Sequence, residues 1–458
     1  MLKLQDTLTV QKTEFTPSQG NTVRMYVCGP NLYGPCHVGH ALSYIVFDVL
    51  RRYLTYKGYE IRHVQNFTDI EDRIIELALQ EKRPIHEISE QYIQRFMTEM
   101  DGLNILRAHE YPRATAYIPR MIEIIQGLMG KGMAYEVEGE VYFRVRSFPG
   151  YGKLSKRPMD EMRTGTRVEV DPRKEDPMDF SLWKSAKEGE PAWPSPWGLG
   201  RPGWHIECSA MSLSLLGQQF DIHGGGQDVV FPHHENEIAQ SEGYTGVAPV
   251  VRFWIHNGLL RLAETDDEKM TRHSGNFISI RDALAKHSPD AIRLFLLSAH
   301  YRSPRAYSEE EIENYERGAD RIRNALREPA SPGGAAMDVA HFQQEFEEAM
   351  DDDLNTPRAV ATLFDLAREV NRGREAGGSV APTQAMLRKL GGVLGLSFAD
   401  AKAADNVAAQ PFVDLLVQVR TELRQAKQFA LADSIRDRLT KLGVSLEDSP
   451  QGTKWKMG

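Results

Sequence analysis

Residues 23–64 constrain this chain more than any other stretch. Val23 to Val27 is a short β-favouring run, broken by Cys28-Gly29-Pro30. Leu42, Ile45, Val46, Val49, Leu50 and Leu54 then recur at helical spacing, Gly58 is a stop, and Ile61 to Val64 returns to strand character. Strand, glycine-containing turn, amphipathic helix and strand make a βαβ unit, whose crossover forces its two strands to run parallel. The expected class is therefore α/β, with a doubly wound, Rossmann-like parallel sheet. Sheet character resumes with Gln219 to His223, which runs into Gly224-Gly225-Gly226, and again with Val251 to Asn257.

Between those halves, residues of about 115–200 are helical at first and then rich in Gly, Pro and Trp, which reads as an insertion. Beyond the sheet, Glu309 to Leu326 and Gln343 to Val370 are polar helical stretches with an apolar stripe. Breaks are expected at Glu328 to Ala336, at Gly377 to Pro382, and over the Ala-rich run Phe398 to Pro411. A chain of 458 residues exceeds one hydrophobic core, so two to four domains are expected.

Composition narrows the function classes. The run of roughly 20 apolar residues that a membrane helix needs is missing, and Met1 to Val10 has no secretory pattern, so a cytoplasmic protein is expected. Three cysteines, Cys28, Cys36 and Cys208, make a disulfide framework unlikely and point to metal binding or catalysis. A net charge of -9 argues against broad non-specific binding to nucleic acid. The tail from Pro411 carries 8 Lys/Arg against 6 Asp/Glu, so it is the end least repelled by RNA.

Three constellations could carry chemistry. Cys36-His37-Val38-Gly39-His40 opens the first long helix, where unpaired backbone N–H groups and the helix dipole suit a phosphate. Cys28, Cys208, His233 and Glu237 have the donor types of a tetrahedral zinc site, and His233 and Glu237 are one helical turn apart. Lys269 and Arg272, in a glycine-containing loop, could close over a triphosphate. Each alone has a plainer structural reading: histidines near a cap, small buried cysteines, a solvated loop.

Their order and surroundings, however, resemble the cysteinyl-tRNA synthetases, class I aminoacyl-tRNA synthetases, over essentially the whole chain. The resemblance is carried by Met25-Tyr26-Val27-Cys28-Gly29-Pro30, His37-Val38-Gly39-His40, Asn66-Phe67-Thr68-Asp69-Ile70 and Pro112-Arg113-Ala114-Thr115. It continues through Pro202 to Met211, Phe220 to Gly226, Phe231-Pro232-His233-His234-Glu235-Asn236-Glu237, Asp351 to Pro357, and Glu447 to Trp455. The chain departs from the family at Thr271-Arg272-His273, at Asn31-Leu32-Tyr33-Gly34, and at Arg73, where a Lys is common.

The resemblance implies ATP-dependent ligation of L-cysteine to tRNA(Cys) through cysteinyl-adenylate. It implies one zinc ion on Cys28, Cys208, His233 and Glu237, with Glu237 the ligand expected to loosen, and Mg2+ entering with ATP. It places substrate cysteine against Gly29, Thr68, Trp204 and His223. It assigns the nucleotide to Gly224, Gly225, Gly226 and Asp228, and the reacting phosphates to His37, His40, Lys269 and Arg272. The implied domains are a catalytic domain at 1–260, a mobile signature loop and stem-contact region at 261–327, a helical bundle at 337–397 and an anticodon-recognition module at 411–458. A monomer is the family expectation. The alternative is a cysteine-activating paralogue that delivers cysteine to an amino sugar, and such ligases lack the terminal extension. A non-catalytic RNA- or metal-binding relic is a third reading, opposed by the retained histidines and metal donors.

Overall fold

The computed structural model describes residues 1–159, 171–262, 277–327, 339–399, 401–442, 444–449 and 452–457. The chain divides into two compact units, Met1–Ser397 and Phe398–Gly458.

The first unit is built on the βαβ unit expected from the sequence. A hairpin of β1 (Lys3–Asp6) and β2 (Gln11–Glu14) precedes β3 (Thr22–Val27), which is followed by α1 (Val38–Tyr56) and β4 (Glu60–Gln65). β3 and β4 are parallel, with Tyr26 opposite Val64. α1 buries Leu42, Ile45, Val46, Val49, Leu50 and Leu54, the residues whose spacing marked the helix. After α2 (Asp72–Glu81) and α3 (Ile85–Gly102), the chain reaches α4 (Ile118–Gly130) and the insertion.

The insertion holds what its Gly, Pro and Trp content did not predict. β5 (Ala134–Val137), β6 (Glu140–Phe143), β7 (Phe180–Ser185), β8 (Trp193–Ser195) and β9 (Gly198–Pro202) form an antiparallel sheet in the order β5-β6-β7-β9-β8. Its strands are short and interrupted by turns, so no period-two pattern runs long enough to be seen. α5 (Trp204–Leu216) returns the chain to the parallel sheet through β10 (Phe220–Gly226), α6 (Glu235–Thr245) and β11 (Val251–Asn257).

The parallel sheet has the order β11-β10-β3-β4. From the central pair β3 and β10, one crossover leads outward through α1 and the other through α6. That reversal opens a crevice at the carboxyl ends of the two strands, the place where such sheets bind ligands. Its lower core gathers Tyr26, Val64, Ile206, Cys208, Met211, Ile238 and Trp254, all buried.

β12 (Leu260–Leu262), α7 (Ile280–Lys286), α8 (Pro289–Leu297), β13 (Arg305–Tyr307) and α9 (Glu309–Arg327) follow. Then come α10 (Ala340–Asp351), α11 (Thr356–Glu375) and α12 (Ala381–Val393), which occupy the stretch expected as a helical bundle and belong to the same compact unit as the sheet. A buried ion pair ties them together. Asp48 of α1 and Arg293 of α8 meet at 2.6 Å, and Arg293 also donates to the carbonyls of Leu103 and Leu394.

The second unit comprises α13 (Ala401–Gln425), α14 (Phe429–Lys441) and the antiparallel hairpin of β14 (Val444–Ser449) and β15 (Gly452–Met457). Val413, Leu439 and Val444 form its small core. The Ala-rich stretch expected as a linker is mostly the start of α13. Alanine has the highest helix propensity of any residue, so its abundance argued for a helix rather than a break.

Candidate active site and metal centre

The four parallel strands deliver their following residues to a cleft of about 340 Å³. Cys28 and Gly29 come directly after β3, Asn66 and Thr68 after β4, Gly226 and Asp228 from the end of β10, and Asn257 from the end of β11. His37 and His40 enter from the start of α1, and Trp204, Cys208 and His233 close the far end. Side chains separated by more than 200 residues in sequence thus meet because parallel strands all end on one side.

Gly29 is held by its neighbour strand. Its N–H donates to Asn66 Oδ1 at 2.9 Å, and a Cβ at this position would stand 1.6 Å from the Asn66 carbonyl oxygen. Only glycine fits that approach.

At the phosphate end, His37 is the N-cap of α1, its N–H donates to His40 Nδ1 at 3.1 Å, and the two rings lie 3.8 Å apart. Residues 278–280 are bonded to this entrance: Val38 N–H donates to the Ile278 carbonyl at 3.0 Å and Ile280 N–H to the Cys36 carbonyl at 3.1 Å. Leu260, on the other side of residues 263–276, lines the cleft. Lys269 and Arg272 lie outside the described residues. Arg73 also lines the cleft, donating to Tyr33 Oη at 2.9 Å with its guanidinium 5.1 Å from the ring centre.

At the opposite end, Cys28 Sγ lies 3.9 Å from Cys208 Sγ and 3.8 Å from Glu237 Oε1, and His233 Nε2 lies 3.0 Å from the same oxygen. A tetrahedral zinc site, with bonds of about 2.3 Å to sulfur and 2.0–2.2 Å to nitrogen or oxygen, sets its ligand atoms roughly 3.3–3.8 Å apart. The donor set fits. His234 is a further candidate, 3.1 Å from Cys28 Sγ and 3.8 Å from Glu237 Oε1 through Nε2. Donor atoms of Cys28, His233, His234 and Glu237 all lie within 4.8 Å of one another.

The electrostatics of this cluster favour a cation. Burial pushes the Glu237 carboxyl up, but the imidazoles of His223 and His233 outweigh it and leave it at about 2. The hydrogen bond from Cys28 draws the Cys208 thiol down to about 6 against its burial, whereas burial and the neighbouring Cys208 push Cys28 up. His233 would be depressed by burial, yet Glu237 and Cys208 carry it to about 10. Negative charge is therefore favoured on Cys208 and Glu237, with His233 as the cation beside them.

Two expected contacts are placed differently. His223 does not line the cleft; it lies behind Glu237, its Nε2 2.9 Å from Glu237 Oε2 and its ring stacked on Trp254 at 4.5 Å. Gly224 likewise faces away: a Cβ there would meet the Phe47 ring of α1 at 2.1 Å, so this glycine lets helix and sheet close together. Gly225, Gly226 and Asp228 do reach the cleft. Thr68 is at the cleft wall, accepting from Asn66 Nδ2 at 3.3 Å, and Trp204 stacks on His233 at 4.1 Å.

Reading the sequence missed three supporting residues. His234 Nδ1 lies 2.8 Å from His256 Nε2, and His256 Nδ1 lies 2.9 Å from Thr7 Oγ1. A signal existed for His256, a polar residue directly after the apolar run Phe253-Trp254-Ile255 and buried with it. Glu235 is fully buried and accepts backbone N–H groups from Gly152, Leu154 and Ser155, at 2.9, 3.1 and 2.8 Å. Its role could not be read from spacing, since its partners are 80 residues away.

Comparison with known proteins gives the family and the fold. Residues 14–317 match the family model of the tRNA synthetases class I (C) catalytic domain, and residues 345–399 match the DALR domain. A cysteine–tRNA ligase of Dehalococcoides mccartyi is 50% identical over 458 residues, covering 100% of both chains. One from Halorhodospira halophila is 50% identical, covering 100% of this chain and 99% of its own. Among solved structures, Mycobacterium tuberculosis methionyl-tRNA synthetase in complex with methionyl-adenylate superposes with a TM-score of 0.59 at 15% identity, covering 87% of this chain and 94% of that one. That likeness is one of fold.

Proposed function

The chain belongs to the class I cysteine–tRNA ligase family, and on that premise we propose that it joins L-cysteine to tRNA(Cys) at the expense of ATP, selecting cysteine at the Cys28, Cys208, His233 and Glu237 cluster. The observation that carries the reading is the meeting of two thiols and an imidazole at the switch point of the sheet, in the same cleft as His37 and His40, with the Glu237 carboxylate in contact behind them. The relatives match across the terminal unit that an amino-sugar ligase of this kind lacks, so that alternative is set aside.

Cysteine differs from serine by one atom, and an apolar pocket separates near-isosteres poorly. A bound zinc ion supplies the discrimination, because it bonds a thiolate far better than a neutral hydroxyl. Cys28, Cys208, His233 and Glu237 would hold it, and His223, 2.9 Å from the second carboxylate oxygen of Glu237, would orient that ligand. Trp204 and Thr68 orient the amino acid, so that its carboxylate attacks the α-phosphorus of ATP in line and pyrophosphate leaves.

Gly225, Gly226 and Asp228 support the nucleotide. His37, His40 and the N-terminus of α1 stabilise charge developing on the phosphates, which arrive with Mg2+. Lys269 and Arg272 belong to the same step by family resemblance, and both described flanks of their loop stand at the cleft. The terminal ribose hydroxyl of tRNA then takes the cysteinyl group. Residues 411–458, which resemble the family's anticodon-recognition module, bind the RNA and supply orientation rather than bond making. The reading is that of a cytoplasmic monomer; among the described residues no helix is long and apolar enough to cross a membrane.

Charging total tRNA with labelled cysteine, beside labelled serine, tests the proposal. Cysteine should be incorporated and serine should not. Cysteine-dependent ATP–pyrophosphate exchange with no charging of any tRNA would overturn it.

A further inference from the structure

Asp351-Asp352-Asp353, the acidic run at the junction of α10 and α11, has no part in the chemistry above. Its first two members make partly exposed pairs. Asp351 accepts from Tyr53 Oη of α1 at 2.7 Å and pairs with Lys57 at 3.2 Å, and Asp352 pairs with Lys12 of β2. Asp353 is different. It is 1% exposed, and both it and Leu354 stand in the left-handed region, at φ 58° and 53°. Two successive non-glycine residues hold that conformation only where their surroundings impose it.

Those surroundings form two legs that end on β11. In the first, Asp353 Oδ1 accepts from Tyr301 Oη at 2.9 Å, and Oδ2 lies 2.9 Å from the Arg302 guanidinium and 3.6 Å from His300 Nε2. The Tyr301 carbonyl accepts in turn from the N–H of Gly258 at 2.8 Å. Contact there is close: a Cβ on Gly258 would stand 2.5 Å from the Ser303 carbonyl oxygen. Arg305 N–H donates to the Leu259 carbonyl at 3.0 Å, and Leu260 of β12 lies opposite Arg305 of β13. Gly258, Leu259 and Leu260 line the cleft directly after Asn257, which is opposite Gly226 in the parallel sheet.

The second leg runs through β1. Gln5 N–H donates to Asp353 Oδ1 at 2.9 Å, and Asp353 N–H donates to the Lys3 carbonyl at 3.0 Å. The Asp6 carboxylate accepts from Trp254 N–H at 2.9 Å, and Thr7 N–H donates to the Trp254 carbonyl at 2.8 Å. Thr7 Oγ1 meets His256 Nδ1, and His256 leads on through His234 to Cys28 Sγ.

Resting on the function proposed above, we infer that Asp353 is a positioning residue for both ends of the cleft. It acts on the nucleotide through Tyr301 and Gly258, and on the amino acid through β1 and His256. A buried carboxylate suits the task, because its two oxygens accept several donors at once and its charge shortens those bonds. A misplacement of about 1 Å far from the chemistry can cost about 10²-fold in rate, so the end of β11 needs a fixed support. The helical bundle thereby serves the reaction without touching a substrate.

Three variants separate the legs. Asp353→Asn keeps the size and tolerates the left-handed backbone, but loses the charge that faces Arg302. It should raise the KM for ATP and for cysteine in pyrophosphate exchange by about tenfold or more, the scale of a lost hydrogen bond to a charged group. Tyr301→Phe should raise the KM for ATP by about fivefold and leave that for cysteine within about twofold, and Thr7→Val should do the reverse. The affinity for ATP alone, by equilibrium dialysis, should fall in Asp353→Asn and Tyr301→Phe and hold in Thr7→Val. A merely structural role would lower the unfolding temperature and leave both KM values unchanged, which overturns the proposal. So would single-leg variants that raise both KM values alike. Should Asp353→Asn fail to fold, Tyr301→Phe and Thr7→Val decide the matter by themselves. A wild type without cysteine-dependent exchange would mean that the function reading has failed, and ATP dialysis would still read the nucleotide leg.

Discussion

The two ends of the cleft are built on different principles. At the cysteine end, Cys208, His233 and Glu237 are each about 2% exposed, and every donor touches another. At the other end, His37 and His40 sit on the first turn of a helix, and Leu260 and residues 278–280 stand beside them. On the proposed function the first selects the substrate, and a metal held there would tolerate little misplacement of ligands oriented from behind. On the same proposal the second acts on charge that changes during reaction, and helix N–H groups with imidazole donors are suited to that. Binding specificity and rate should therefore respond separately to substitution.

The largest effect is expected from Cys208→Ser. It should abolish stoichiometric metal and lower cysteine activation beyond the roughly 100-fold that loss of a supporting contact can cost, while ATP binding is little changed. Metal analysis with pyrophosphate exchange checks this. Full activity in a metal-depleted variant would erase the distinction between the two ends.

His40→Asn should lower the exchange rate by about 10²-fold, the scale of one lost transition-state contact, with metal content unaltered. A variant that lost metal as well would show the two ends to be one cooperative unit. His223→Ala sharpens the comparison from behind the metal donors. Losing its contact to Glu237 should weaken metal affinity by about 10-fold to 100-fold in chelator competition. A rise in the cysteine KM with unchanged metal affinity would instead return His223 to the substrate pocket.

Gly224→Ala should have the smallest catalytic effect. The added methyl meets Phe47, so thermal unfolding should report a loss of about 1–3 kcal/mol from overpacking. The KM for ATP should hardly move. A selective rise in that KM would restore Gly224 to nucleotide binding.

Much of this was legible in the chain. The βαβ unit followed from the apolar spacing of α1 between two β-favouring runs, because burial on one helix face leaves a periodic trace. The donors of the proposed metal site were legible as types, two thiols with a histidine and glutamate one turn apart. What spacing could not settle was which histidine points inward: His233 and His234 are both within a turn of Glu237, and both reach it. The insertion sheet and the helix over residues 401–411 were missed, because short strands and alanine-rich runs carry little periodicity.

The sequence by itself determined the fold class and the start of the first long helix at His37-Val38-Gly39-His40, since these rest on local periodicity and residue chemistry. Only the tertiary structure decided that Cys28 and Cys208 meet, that His223 stands behind Glu237 instead of in the cleft, that Gly224 serves packing, and that Asp353 reaches both Tyr301 and β1. Those contacts depend on where parallel strands end and on which side a crossover helix packs. Such geometry is set by the whole core at once, and no local stretch of sequence contains it.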